Sequence, residues 1–125
     1  MKPYQLIIID AINALTDNNF KTFVGTDLST VEVTDDYTGN VPTEAEIQSK
    51  IDELMPAFAM DALREERNKL LKETDWTQSE DVPSATKTTW TTYRQSLRDL
   101  PANTENPVVG TDGLLTGVTW PTKPE

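Results

Sequence analysis

Thr43-Glu44-Ala45-Glu46 constrains the fold more than any other stretch of the chain. It has the capping-box form, in which Thr43 accepts a hydrogen bond from the Glu46 amide and the Glu46 carboxylate reaches back to the Thr43 amide. Ile47, Ile51 and Leu54 follow at helical spacing, so a helix must start here and must bury one side. Pro56 interrupts it after Met55. A proline at that point removes one backbone hydrogen bond and crowds the preceding turn, which predicts a kink or a short break. The stripe resumes with Met60, Leu63, Arg67 and Leu70, with Leu71 beside it, until Asp75-Trp76-Thr77 ends the run.

The segments on either side take their form from this helix. Residues 4–15 carry Ile8, Ile12 and Leu15 on one side with Ala11 adjacent, and Pro3 suits a first helical position, so a helix is predicted there too. Thr16-Asp17-Asn18-Asn19 reads as a stop and a turn. Two β-branched stretches follow, with Phe20, Thr22 and Val24 on one face of the first and Val31 and Val33 on one face of the second. Gly25 to Ser29 forms the predicted five-residue hairpin loop. Beyond a loop at 78–83, Ser84 caps a predicted last helix of about 15 residues, a length within the usual range. Its stripe is Trp90, Tyr93, Leu97 and Leu100, and Pro101 and Asn103 close it. Residues 102–125 are rich in proline, glycine and threonine, with a tight turn at Thr111–Gly117, and Val118-Thr119-Trp120 reads either as a last strand or as an extended tail that docks its tryptophan. The expected class is α+β: a helix, a β-hairpin, a long kinked helix, then a helix pair with an extended C-terminal tail. Two modules are expected, a helix–hairpin–helix unit over 1–55 and a helical hairpin with its tail over 56–125.

Composition restricts function. Hydrophobic residues make up 36% of the 125, so the core is modest, below the roughly 45–50% apolar content (Gly included) usual for globular domains. The net charge of −10 repels phosphate backbones and anionic headgroups, which argues against nucleic-acid and membrane partners. Cysteine and histidine are both absent. The chain therefore lacks a disulfide framework, the commonest zinc ligands and the usual general base near neutral pH. The apolar run near the start, cut by Asp10, is too short for a signal-peptide core, and nothing approaches a membrane span.

Adjacent acids at Glu44 and Glu46, Glu65 and Glu66, and Asp35 and Asp36 lie in polar stretches without an apolar pocket to separate their titrations, so they read as solvated surface. The loop acids lack EF-hand spacing, Gly110–Gly113 is not followed by the Lys-Ser/Thr of a phosphate loop, and the serines have no histidine to activate them. No catalytic residue, cofactor or metal is assigned. Trp76, Trp90 and Trp120 could form a sugar-stacking platform. In so small a core they serve better as packing elements.

The second half carries three ordered blocks. Arg64, Arg67, Leu70-Leu71 and Thr74-Asp75-Trp76 form the first; Tyr93-Arg94, Leu97-Arg98-Asp99-Leu100-Pro101 the second; Trp120-Pro121 the last. Together they resemble the phage tail assembly chaperone family over about residues 63–124. The resemblance implies a non-enzymatic bacteriophage tail protein that works by protein–protein contact, made in host cytoplasm and carried in the virion tail. Its implied partners are other tail, baseplate or fibre proteins, with a homo-oligomer within the virion as a further arrangement. Because the first half extends beyond the bare chaperone module, a structural or adaptor component of the tail, baseplate or fibre-attachment region is the expected role. The alternative is a transient tail-fibre assembly chaperone absent from the mature virion. Trp76, Trp90, Tyr93 and Leu97 are the expected core-locking residues, and Arg94, Arg98, Asp99 and Trp120 the expected partner-binding ones.

Overall fold

A computed structural model describes residues 4–125, so the expectation for Pro3 lies outside the described residues. The chain is α+β, in the order α1 (Tyr4–Thr16), β1 (Phe20–Val24), β2 (Asp27–Val33), α2 (Glu44–Glu73), a 3₁₀ turn (Asp75–Gln78), α3 (Ser84–Asn103), β3 (Val108–Val109) and β4 (Leu115–Thr116). Each strand pair is an antiparallel hairpin.

The capping box at the start of α2 is formed on both sides, with the Glu46 amide donating to Thr43 Oγ1 at 3.2 Å and the Thr43 amide to Glu46 Oε1 at 3.1 Å. From there α2 runs unbroken for 30 residues. Pro56 lies inside it and does not end it. An interior proline costs about 3 kcal/mol, and two features of this helix offset that. Asp52, whose carbonyl loses its amide partner, and Pro56 are both exposed, so water can reach the gap. The stripe also continues past the proline, through Phe58, Ala59, Ala62 and Leu63, all buried. Each large side chain in it contributes roughly 1.5–3 kcal/mol on burial.

The larger core forms where α1 crosses α2. Tyr4, Ile7, Ile8, Ala11 and Ile12 meet Ile47, Ile51, Phe58, Ala59 and Ala62, and Leu15 packs at the edge. At the end of α1, Thr16 Oγ1 donates back to the Ile12 carbonyl at 2.8 Å. Asp17 and Asn18 then take positive φ, a conformation that short polar side chains tolerate best. Asn19 ties this turn to the end of β2, its carbonyl accepting from the Thr34 amide at 2.8 Å.

The first hairpin departs from simple alternation. Its pairing shifts register on both sides of Thr22, so Phe20 and Phe23 turn inward together, while Thr22 and Val24 are exposed. The two rings sit 5.5 Å apart. The loop is also shorter than five residues: Val24 pairs with Asp27, leaving Gly25 and Thr26 as the turn, with Gly25 at φ +56°.

α3 is 20 residues long, and Ser84 is its first residue rather than its cap. Pro101 sits in its last turn instead of closing it. The second hairpin then carries the chain back to α2. Val109 inserts among the buried residues of α1 and α2, so the C-terminal stretch completes a core begun by the N-terminal one.

Candidate functional site

α2, the 3₁₀ turn and α3 are held together by one buried cation. The last carbonyls of any helix have no amide partner within it. Here Arg94 supplies a donor, with Nη1 2.7 Å from the Leu71 carbonyl and 2.8 Å from Thr74 Oγ1, and Nη2 3.0 Å from Asp75 Oδ1. Thr74 donates in turn to the Leu70 and Leu71 carbonyls, and buried Thr77 donates to the Thr74 carbonyl at 2.6 Å. Arg94 was expected on an uncovered partner-binding face. The structure corrects that: it is buried, because it shares the inward side of α3 with Tyr93 and Leu97, opposite the end of α2.

The aromatic cluster lies beside this network. Trp90, Tyr93 and Leu97 are buried and pack against Leu70, Leu71 and Trp120. Trp90 meets Tyr93 edge-on at 5.9 Å and Trp76 at 5.7 Å. Burial, then the nearby Glu73 carboxylate, push the Tyr93 hydroxyl above its ordinary pKa. Trp76 does not fill the core as expected. It is 59% exposed, because the 3₁₀ turn carries it over the outside of Trp90 rather than between the helices. Trp90 is buried and Trp120 half-buried, so the three indoles do not form an open stacking platform.

Between the C-terminal half of α3 and the returning tail lies a groove of about 810 Å³. Asp99, Ser96 and Asn103 form its helical wall, and Thr119, Trp120 and Pro121 the opposite one. Of the residues singled out for partner contact, Asp99 and Trp120 line this groove, and Arg98 is exposed on the same helix. Gln95 Nε2 donates to Asp99 Oδ1 at 3.0 Å and fixes that carboxylate. Trp120 has two roles: it packs on the Trp90 cluster and also contributes to the groove wall.

Gly117 was not anticipated as a site residue. It takes φ +79°, and a Cβ there would come within 2.7 Å of the Asn106 carbonyl oxygen. Only glycine lets the tail pass this close to residues 106–107 and swing Trp120 towards α3. Its place just ahead of Val118-Thr119-Trp120-Pro121 was the available signal. Among the described residues, no group of three His, Cys, Asp or Glu could hold a metal ion, and no helix is long and apolar enough to cross a membrane.

The chain is thus a small α+β protein whose helical hairpin is closed by an arginine and whose tail folds back to leave an open groove beside α3. The family model for the phage tail assembly chaperone protein matches residues 60–125, and the chain belongs to that family. Its role is thus phage-tail-related and non-enzymatic, with other phage tail proteins as its partners. No curated protein and no solved structure matches the chain.

Proposed function

We propose that the chain is an assembly chaperone that holds an unassembled phage tail polypeptide in the groove between α3 and the C-terminal tail, and releases it as the tail is built. One observation carries this reading: every residue lining the groove falls within the family-matched segment 60–125. Trp120 offers an apolar anchor of the kind that dominates protein interfaces. Asp99 beside it, with Arg98 on the next exposed position of α3, sets polarity and register. In this reading the segment 56–125 is the partner-binding module and 1–55 the platform that steadies it.

A second reading keeps the protein in the mature tail, baseplate or fibre-attachment region as an adaptor. It is favoured by the part of the chain outside the family match, which contributes most of the larger core. Affinity capture from infected cells, with the captured tail polypeptide identified and then purified, tests the shared claim. Trp120→Ala combined with Asp99→Arg should abolish binding of that polypeptide. Undiminished binding by a folded double variant would overturn the groove assignment. Mass spectrometry of purified particles separates the two readings, since absence supports the chaperone and stoichiometric copies support the adaptor.

A further inference from the structure

The groove beside α3 leaves the most strongly charged part of the molecule unused. Residues 1–55 contain ten carboxylates against three lysines, whereas 56–125 contain eleven carboxylates against eight basic residues. The charge difference coincides with a second concave surface. One hollow of about 440 Å³ lies between α2 and β3, with Ile51, Met55, Pro56 and Val108 giving it an apolar floor. A second, of about 400 Å³, lies between the start of α2 and the tip of the first hairpin, with Asp27 and Glu44 on its walls. Gln48 lines both hollows, so they sit end to end along α2 as a channel with that side chain at the boundary between them. From Glu44 to Pro56 its length is about 18 Å at roughly 1.5 Å per helical residue.

The channel is chemically graded. Its far end is apolar, and Val108 there is 43% exposed. Asp52 stands at the middle, where its Oδ1 accepts from Gln48 Nε2 at 3.0 Å. Glu44 and Asp27 stand at the near end, and among the described residues no lining side chain of either hollow is cationic. Asp27 accepts from the Ser29 hydroxyl and then from the Ser29 amide, which hold its pKa below the ordinary aspartate value and keep it charged. Uncompensated carboxylates in a row beside an apolar floor are complementary to one kind of occupant.

We propose that this channel binds a short segment of another polypeptide with apolar residues at one end and lysine or arginine at the other. A second copy of this chain fits poorly, because its own surface is acidic and like charges repel. The site meets the groove beside α3 at Asn106, which lines both, and their linings are otherwise distinct, so the protein would grip two segments, each by different chemistry.

The test uses the full chain and a fluorescein-labelled synthetic 14-residue probe, four leucines at one end and four lysines at the other, read by fluorescence anisotropy. Glu44→Lys with Asp52→Lys should weaken binding by about tenfold or more, as reversing two surface pairs implies. Replacing the probe lysines by glutamate should do at least as much, and Trp120→Ala should change nothing. Should the reversal lose helicity by circular dichroism, Glu44→Gln with Asp52→Asn gives the same reading with a smaller shift. The proposal fails if the wild-type chain does not bind the probe, if a leucine-to-serine probe binds as tightly as the parent, or if the folded double variant keeps wild-type affinity. It also fails if the wild-type chain forms a concentration-dependent dimer that the double variant loses, since the channel would then belong to a second copy. Undiminished capture of the tail polypeptide by the folded Trp120→Ala, Asp99→Arg variant, with probe binding intact, would count against the groove beside α3 alone.

Discussion

The two ends of α2 are stabilised in different ways. Around its N-terminal two-thirds the contacts are mainly aliphatic: Ile7, Ile8, Ile12, Ile47 and Ile51 are all fully buried, and Thr16, among the described residues the one buried polar side chain there, bonds to its own helix. Around its C-terminal end the buried cluster is only Trp90, Tyr93 and Leu97, and Arg94, Thr74 and Thr77 are buried beside it. Burial is non-directional and tolerates small displacements, whereas a guanidinium with three acceptors fixes position and angle. The half that carries the proposed groove is thus held by geometry, and the half that carries little of it is held by mass of apolar contact. A binding region can be well ordered without being the most stable part of its protein.

The largest test of that contrast is to separate the halves. Nine of the eleven buried residues of the larger core precede residue 60, leaving Ala62 and Val109. A fragment of 60–125 should therefore lose cooperative unfolding by circular dichroism. Retention of a sharp transition would show that the C-terminal lock stands without the aliphatic core. In the full chain, Ile51→Ala should cost about 2–5 kcal/mol in denaturant titration, the usual range for a fully buried aliphatic.

Arg94→Met comes next, at about 1–3 kcal/mol. Most of the cost is the loss of the charge-assisted hydrogen bonds to the Leu71 carbonyl and Thr74 Oγ1, because Asp75 is largely exposed and regains water. Hydrogen exchange should show the loss concentrated in α3 and the end of α2, with α1 protected as before. Uniform loss along the chain would break the contrast. Trp76→Ala should be milder, about 0.5–1.5 kcal/mol, since only its contact with Trp90 is forfeited.

The smallest effect is alkaline. Because the folded pKa of Tyr93 is raised, its contribution is fully present below the unfolded value of about 10 and is lost as pH rises through the folded one. Tyr93→Phe should flatten that fall in stability. An unchanged alkaline slope would remove Tyr93 from the account.

What could be read in the sequence followed from how local each determinant is. The capping box and the stripes of α1 and α3 depend on residues within a turn or two, and they were legible. The hairpin face was misread because a register shift beside Thr22 is set by pairing and not by composition. Phe58, Ala59 and Ala62 lie off the Met60–Leu70 stripe expected beyond Pro56, and it is their burial that carries the helix past the proline. Arg94 looked like a surface cation, for its three acceptors lie 19 to 23 positions earlier and meet it only after α3 folds back. Val109 is legible least of all, being one residue of a two-residue strand that closes a core built at the opposite end of the chain.

A single helix serving both ends has a mechanical consequence. At about 100° of turn per residue, one residue inserted between Leu63 and Leu70 would swivel the arginine-clasped hairpin by more than a quarter revolution against the isoleucine body. The same insertion in the exposed loop at 35–42 would be absorbed there. α2 therefore behaves as an axle whose phase angle is written in residue count: the length of this stretch, more than its composition, aims one end of the molecule relative to the other.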